Sequence, residues 1–128
     1  MHDAAGVLAG TVMAALRNVA GLSLVSDGAP IQAGDAHAVL EIGPEGDWGH
    51  KSGAGAEIRF AVIVWCGGER PERARGLLAA VRAAVDGIAP DLGSWRLVSL
   101  AMTRSRVARE TGPGWAGVVD YRARLLAV

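Results

Sequence analysis

The sequence predicts an α+β domain: a four-stranded, mainly antiparallel sheet with two helices packed on one face, in the chain order α-β-β-α-β-β. Three observations predict it. Two stretches carry apolar residues at helical spacing, and four others alternate at the two-residue period of a strand. The chain has 128 residues, of which 51% are apolar and 20% charged. At that size about two-thirds of the unfolded surface is buried on folding, enough for one modest core, so residues 1–128 read as a single domain.

The first helix starts at Asp3, whose carboxylate can cap an N-terminus and sit at its positive end. Ala5, Leu8, Ala9, Val12, Leu16 and Val19 then form one stripe, and Gly21 marks a stop. Residues 22–36 read as an irregular connection, with Asp27-Gly28 and Ala29-Pro30 as turn signals. From His37 to Ile42 the pattern alternates, placing Ala38, Leu40 and Ile42 on one face of a first strand. Residues 43–56 hold five glycines, Pro44 and the polar residues Asp47, His50, Lys51 and Ser52. They read as a long exposed loop, a kind that is usually functional.

Glu57 to Cys66 is the clearest strand. Ile58, Phe60, Val62 and Val64 share one face, and the other face begins with Glu57, Arg59 and Ala61 but ends with Ile63 and Trp65. A strand that turns apolar on both faces is covered on both sides there, and in so small a domain another subunit is one source of cover. Pro71 suits the first turn of a second helix. Its stripe is Ala74, Leu77, Leu78, Val81, Ala84, Val85 and Ile88, ending near Gly87. Trp95 to Val107 is the third strand. Arg104 and Arg106 continue the side begun by Val98, Leu100 and Met102, so either the strand leaves the core after Met102 or a bulge switches its faces. Gly112-Pro113-Gly114 turn the chain into a fourth strand, Trp115 to Leu126. Setting the fourth strand between the second and third makes every neighbour antiparallel, which gives the order 1-2-4-3. Glu41, Arg59, Asp120, Arg122 and Arg124 then share one sheet face as mixed-charge neighbours.

Composition narrows function mainly by exclusion. Thirteen basic residues balance thirteen acidic ones, which argues against a free-standing nucleic-acid binder and favours association. One cysteine rules out an internal disulfide, and three scattered histidines offer no paired metal-ligand spacing. The first residues lack a basic n-region, and Ala4–Ala20 is interrupted by Gly6, Gly10, Thr11, Arg17 and Asn18, so neither a signal peptide nor a membrane span is expected and synthesis is cytoplasmic. The glycine-rich segment 43–55 matches no phosphate-binding pattern and precedes a strand, away from any helix dipole. Cys66, at a strand-to-helix turn, is a conceivable nucleophile with His37 or His50 as base, but no carboxylate is placed to orient either histidine, and a buried structural cysteine is the commoner case. No catalytic residue, metal or cofactor is assigned. Trp48, Trp95 and Trp115, at loops, turns or strand starts, are lids on the local core or interface anchors.

The layout resembles the tail-terminator, or tail-completion, proteins of long-tailed bacteriophages and gene transfer agents. The resemblance rests on Ala38-Val39-Leu40-Glu41-Ile42-Gly43, then Asp47-Trp48-Gly49-His50-Lys51-Ser52-Gly53, then Glu57-Ile58-Arg59-Phe60 with Val64-Trp65. It continues through the helix with Ala74, Leu78 and Val81, and through Arg96-Leu97-Val98-Ser99-Leu100. It closes on Arg104-Ser105-Arg106, Arg109-Glu110, Gly112 and Gly117 to Ala123. It covers nearly the whole chain, and its specificity lies in order and spacing.

This resemblance implies structural work. It implies a homo-oligomeric ring, usually a hexamer, that caps the head-proximal end of the tail tube, stops its polymerisation and meets the head-side stopper or connector. DNA passes through the lumen without sequence readout, and assembly is at the head–tail junction of the particle. Interface or lumen residues are then expected at Trp48, His50, Lys51, Trp65, Arg104, Arg106, Arg109, Glu110 and Trp115. Two alternatives stand beside it: a neck stopper, adaptor or minor tail protein of the same particle, and a small cytoplasmic enzyme or ligand-binding domain built around Cys66.

Overall fold

A computed structural model describes residues 3–28, 36–110 and 114–128. The turn signals at Ala29-Pro30 and Gly112-Pro113 lie outside them. The elements are α1 (Ala4–Arg17), β1 (Leu24–Asp27), β2 (Ala36–Asp47), β3 (Gly55–Cys66), α2 (Glu72–Asp86), β4 (Trp95–Arg109) and β5 (Trp115–Ala127). The fold is α+β, but the sheet has five strands and is mixed, in the order β1-β2-β3-β5-β4. The extra strand is β1, which runs parallel to β2 from Leu24↔His37 to Asp27↔Leu40. Its four residues, two of them Ser and Asp, carry too little alternation to announce a strand. Residues 28–35 are also a shorter link than parallel neighbours normally need. The other four strands take the order the sequence predicts, every neighbour antiparallel.

Asp3 caps α1 by accepting a hydrogen bond from the Gly6 N–H, and Leu8, Val12 and Leu16 are fully buried beneath the helix. In α2, Pro71 is the N-cap and its carbonyl accepts from Arg75 N. Ala74, Leu77, Leu78, Val81 and Val85 form the buried stripe. Both helices join a single core with one face of the sheet. Ile58, Phe60, Val62 and Val64 from β3 meet Ala123, Tyr121, Val119 and Gly117 from β5 across the ladder. Each fully buried large side chain among them stabilises the fold by roughly 1.5–3 kcal/mol. Phe60 and Tyr121 stack with centroids 5.1 Å apart. Gly117 leaves room for α2: a Cβ there would lie 3.3 Å from Leu78 Cδ2, a tight contact that Leu78 would have to give way to.

Half of the long exposed loop expected over residues 43–56 is strand. β2 and β3 pair out to Asp47↔Ala56, with an irregularity between Ile42 and Glu45 and a cis Gly43–Pro44 peptide. The irregularity breaks the alternation that would have revealed the strand, and only residues 48–54 connect the pair. In β4 a bulge does switch faces. Register shifts at Leu97/Ser99 and Met102/Arg104 keep Leu97, Leu100 and Met102 on the helix side and send Arg104 and Arg106 to the opposite face.

Candidate functional site

Both helices lie on one face of the sheet, so the other face has no covering element among the described residues. Cross-strand register lays it out in rows. At one end stand His37–Trp65–Ala116–Ala108 and Val39–Ile63–Val118–Arg106. Glu41–Ala61–Asp120–Arg104 follow, and Arg59–Arg122–Ala101, Glu57–Arg124–Ser99 and Leu126–Arg96 complete the face. One end is therefore apolar and the other is charged. The apolar end is the stretch where β3 reads as apolar on both faces.

The expected mixed-charge pairing forms in part. Arg104 Nε reaches Asp120 Oδ2 at 3.2 Å, and Arg124 Nε reaches Glu57 Oε2 at 3.3 Å. Arg59 approaches the same Glu57 at 3.8 Å. Arg122 sits opposite Arg59, a like-charge neighbour, and its Nε is buried with no hydrogen-bond partner. Six arginines and three carboxylates occupy the face, so it carries a positive excess on a chain of zero net charge. Exposed pairs of this kind contribute only about 0–1 kcal/mol each; their stronger effect is to set which surfaces can approach.

The nine candidate residues fall into three groups. Trp48, in the 48–54 connection, lies under the Arg124 guanidinium, 5.5 Å from ring centroid to Cζ. His50 and Lys51 are exposed in the tight turn beyond it, where His50 Nδ1 accepts from the Ser52 N–H at 3.2 Å. Arg104 and Arg106 lie at mid-face on β4; Arg106 pairs with no carboxylate among the described residues. The third group is at the far end of the β4–β5 hairpin. There Trp65 stacks on His37 at 5.0 Å, and its indole N–H donates to Glu110 Oε1 at 3.1 Å. Arg109 covers Trp115 on the helix side at 5.5 Å. The residues thus spread over a surface and do not converge. His37, Arg96, Arg122 and Arg124 belong to that surface and are not among the nine; strand alternation already places Arg122 and Arg124 on this face, as mixed-charge neighbours.

Little here is arranged for chemistry at Cys66. The residue is buried on the helix side at the end of β3, whereas His37 is on the opposite face. His50 precedes the start of β3, roughly 35 Å away along a strand that rises about 3.3 Å per residue. The described residues contain no group of three or more His, Cys, Asp or Glu able to hold a metal ion, and no helix among them is long and apolar enough to cross a membrane. A concavity of about 370 Å³ on the exposed face is an open depression between Glu41, Pro44, Arg59, Arg104 and Asp120.

Comparison with known proteins fits a surface of this kind. Residues 6–126 match the family model described as tail completion protein gp17. The chain belongs to that tail-completion family. A solved chain in a structure titled "Virion of native gene transfer agent (GTA) particle" is similar over 99% of this chain and 100% of its own, with 26% identity and a TM-score of 0.67. No curated protein matches. This tail-completion protein is therefore a structural tail protein of a phage or gene-transfer-agent particle.

Proposed function

We propose that this protein is a tail terminator, the whole chain acting as one domain. In this reading a ring of copies, six as the resemblance implies, caps the head-proximal end of the tail tube, stops its polymerisation and presents its other side to the head-side stopper or connector. DNA passes through the lumen with no base readout. The observation that carries the reading is the family match over residues 6–126, together with end-to-end similarity to a chain from a gene-transfer-agent virion. A sheet face with no covering element among the described residues supports it.

The test is the mass in solution by light scattering, with and without the matching tail-tube protein. About six subunits, alone or on the tube, is the expected result. A monomer that neither binds nor caps the tube overturns the reading. Within the ring, Arg104 and Arg106 are read as meeting a neighbour or lining the lumen. Alanine at both positions should impair ring assembly or lengthen tails; unchanged assembly and tail length would remove these two residues from that role.

A further inference from the structure

The two edges of the sheet carry opposite charge. β4 ends the sheet on one side, and Trp95–Arg109 contains Arg96, Arg104, Arg106 and Arg109 with no acidic residue. On the other side β1 pairs only with His37–Leu40 of β2. The rest of β2, Glu41–Asp47, has an unpaired side among the described residues and contains Glu41, Glu45 and Asp47 with no basic residue. The chain as a whole is neutral, so the two edges separate charge that balances overall. Neither Arg96 nor Arg106 forms an ion pair among the described residues, and the same is true of Glu41 and Glu45. The basic edge also holds Val98 and Met102, 44% and 40% exposed, two of the three large apolar side chains left open to solvent among the described residues.

We infer that the basic β4 edge of one copy docks against the acidic Glu41–Asp47 edge of the next. The occupant of each edge is a second copy of this chain, joined head to tail. Charge selects this geometry over its competitors. An isologous contact would set arginines on arginines or carboxylates on carboxylates, and like-charge juxtaposition opposes it. A heterologous contact pairs unlike edges at every junction, the kind of interface a ring requires. The two bulges in β4, and arginines along its edge, also block the indiscriminate strand addition that a flat, neutral edge invites. An acidic partner turns the same arginines into attractive contacts and covers Val98 and Met102. The inference rests on the ring proposed above and adds which surfaces form its junctions.

Charge reversal in the full-length protein tests it. R96E/R106E cancels the net positive charge of the β4 edge and sets carboxylates at its two arginine positions that have no internal ion pair, and E41K/E45K makes both edges basic. Each variant alone should lose self-association, in the presence of tube protein if the wild-type ring needs it, with at least a roughly tenfold weaker junction. Mixing the two variants sets the introduced carboxylates of one β4 edge against the introduced lysines of a β2 edge, and the unaltered arginines against the unaltered carboxylates at the next junction. The mixture should recover the wild-type mass by light scattering, and so should the fourfold variant carrying all the substitutions. Circular dichroism shows whether each variant is folded; where a reversal unfolds the chain, R96Q/R106Q and E41Q/E45Q should each weaken association by several-fold. If the variants assemble like wild type, or lose assembly without recovery on mixing, the edge pairing is overturned and the ring survives. If wild type forms no oligomer alone or on the tube, the terminator reading itself falls.

Discussion

Gly55→Ala is a severe test of how the 48–54 connection is held against the sheet. Gly55 opens β3 and its carbonyl accepts a 3.0 Å hydrogen bond from Trp48 N. A Cβ on Gly55 would collide with the Trp48 carbonyl oxygen and come within 2.8 Å of both the carbonyl carbon and Leu126 Cδ2. Leu126 can rotate, but the Trp48 backbone cannot move without breaking the bond that closes the hairpin. Overpacking of this kind costs about 1–3 kcal/mol, and a lost backbone hydrogen bond adds about 1 kcal/mol. We expect a loss of about 2–4 kcal/mol, an effect that moves a urea midpoint by roughly 1–2 M at slopes usual for small domains. Tryptophan fluorescence also reports the local change, because Trp48 must shift from beneath Arg124. Gly46→Ala is the control: it lies in the same hairpin, and a Cβ there meets nothing within 4 Å. It should change stability by less than about 0.5 kcal/mol. Should Gly55→Ala unfold at the same urea concentration as the control, the close approach of Trp48 to β3 is wrong.

Two further outcomes follow from buried groups. Tyr121 is the only tyrosine; burial, and then the nearby Asp86 carboxylate, push its phenol well above the ordinary value of 10. The unfolded chain releases this proton first as pH rises, so the native state binds more protons above pH 10 and its stability falls there by about 1.4 kcal/mol per pH unit. Ultraviolet titration should show the phenol ionising only as the chain unfolds, and Tyr121→Phe should abolish this contribution. The hydroxyl lies close enough to Asp86 to feel its carboxylate but makes no hydrogen bond of ordinary geometry, so the same variant should be about as stable as wild type at neutral pH. Cys66 is 4% exposed, so thiol labelling of the native protein should be slow and accelerate with denaturant; rapid labelling would restore Cys66 as an accessible reactive group.

The parts of the fold that were legible in the sequence are those where one residue choice serves local and tertiary structure together. The α2 stripe from Ala74 to Ile88 satisfies helical period and core burial at once. The alternation of β5 survives because Val119, Tyr121, Ala123 and Leu125 keep one side while Asp120, Arg122 and Arg124 stand together on the other. The misses occur where the period is interrupted. β1 is too short to alternate, and β2 beyond Ile42 passes through glycine and proline before resuming its pairing with β3. The bulge in β4 was legible as a conflict, since Arg104 and Arg106 could not share a buried side with Leu100. The candidate surface was harder to read, because nothing local to Trp65 says that Glu110, 45 positions on, returns to its indole N–H. That contact requires the β4–β5 hairpin to fold back along β3.

The hairpin also bears on why one sheet face is left without a covering layer among the described residues. A third layer over β3 would have buried Ile63 and Val118, but it would also have desolvated Arg59, Arg122 and Arg124 beside them. Taking charges out of water costs several kcal/mol per ion, and Arg59 and Arg124 share one carboxylate, Glu57, to offset it; the apolar rows return only roughly 25 cal/mol per Å². A face that is half apolar and half cationic is thus poorly suited to an internal layer. It suits a contact that covers its apolar rows and leaves its arginines hydrated or opposite carboxylates. In an assembly of copies the apolar rows supply the buried area, while the charges decide orientation, since every wrong pairing of edges or faces sets like charges together.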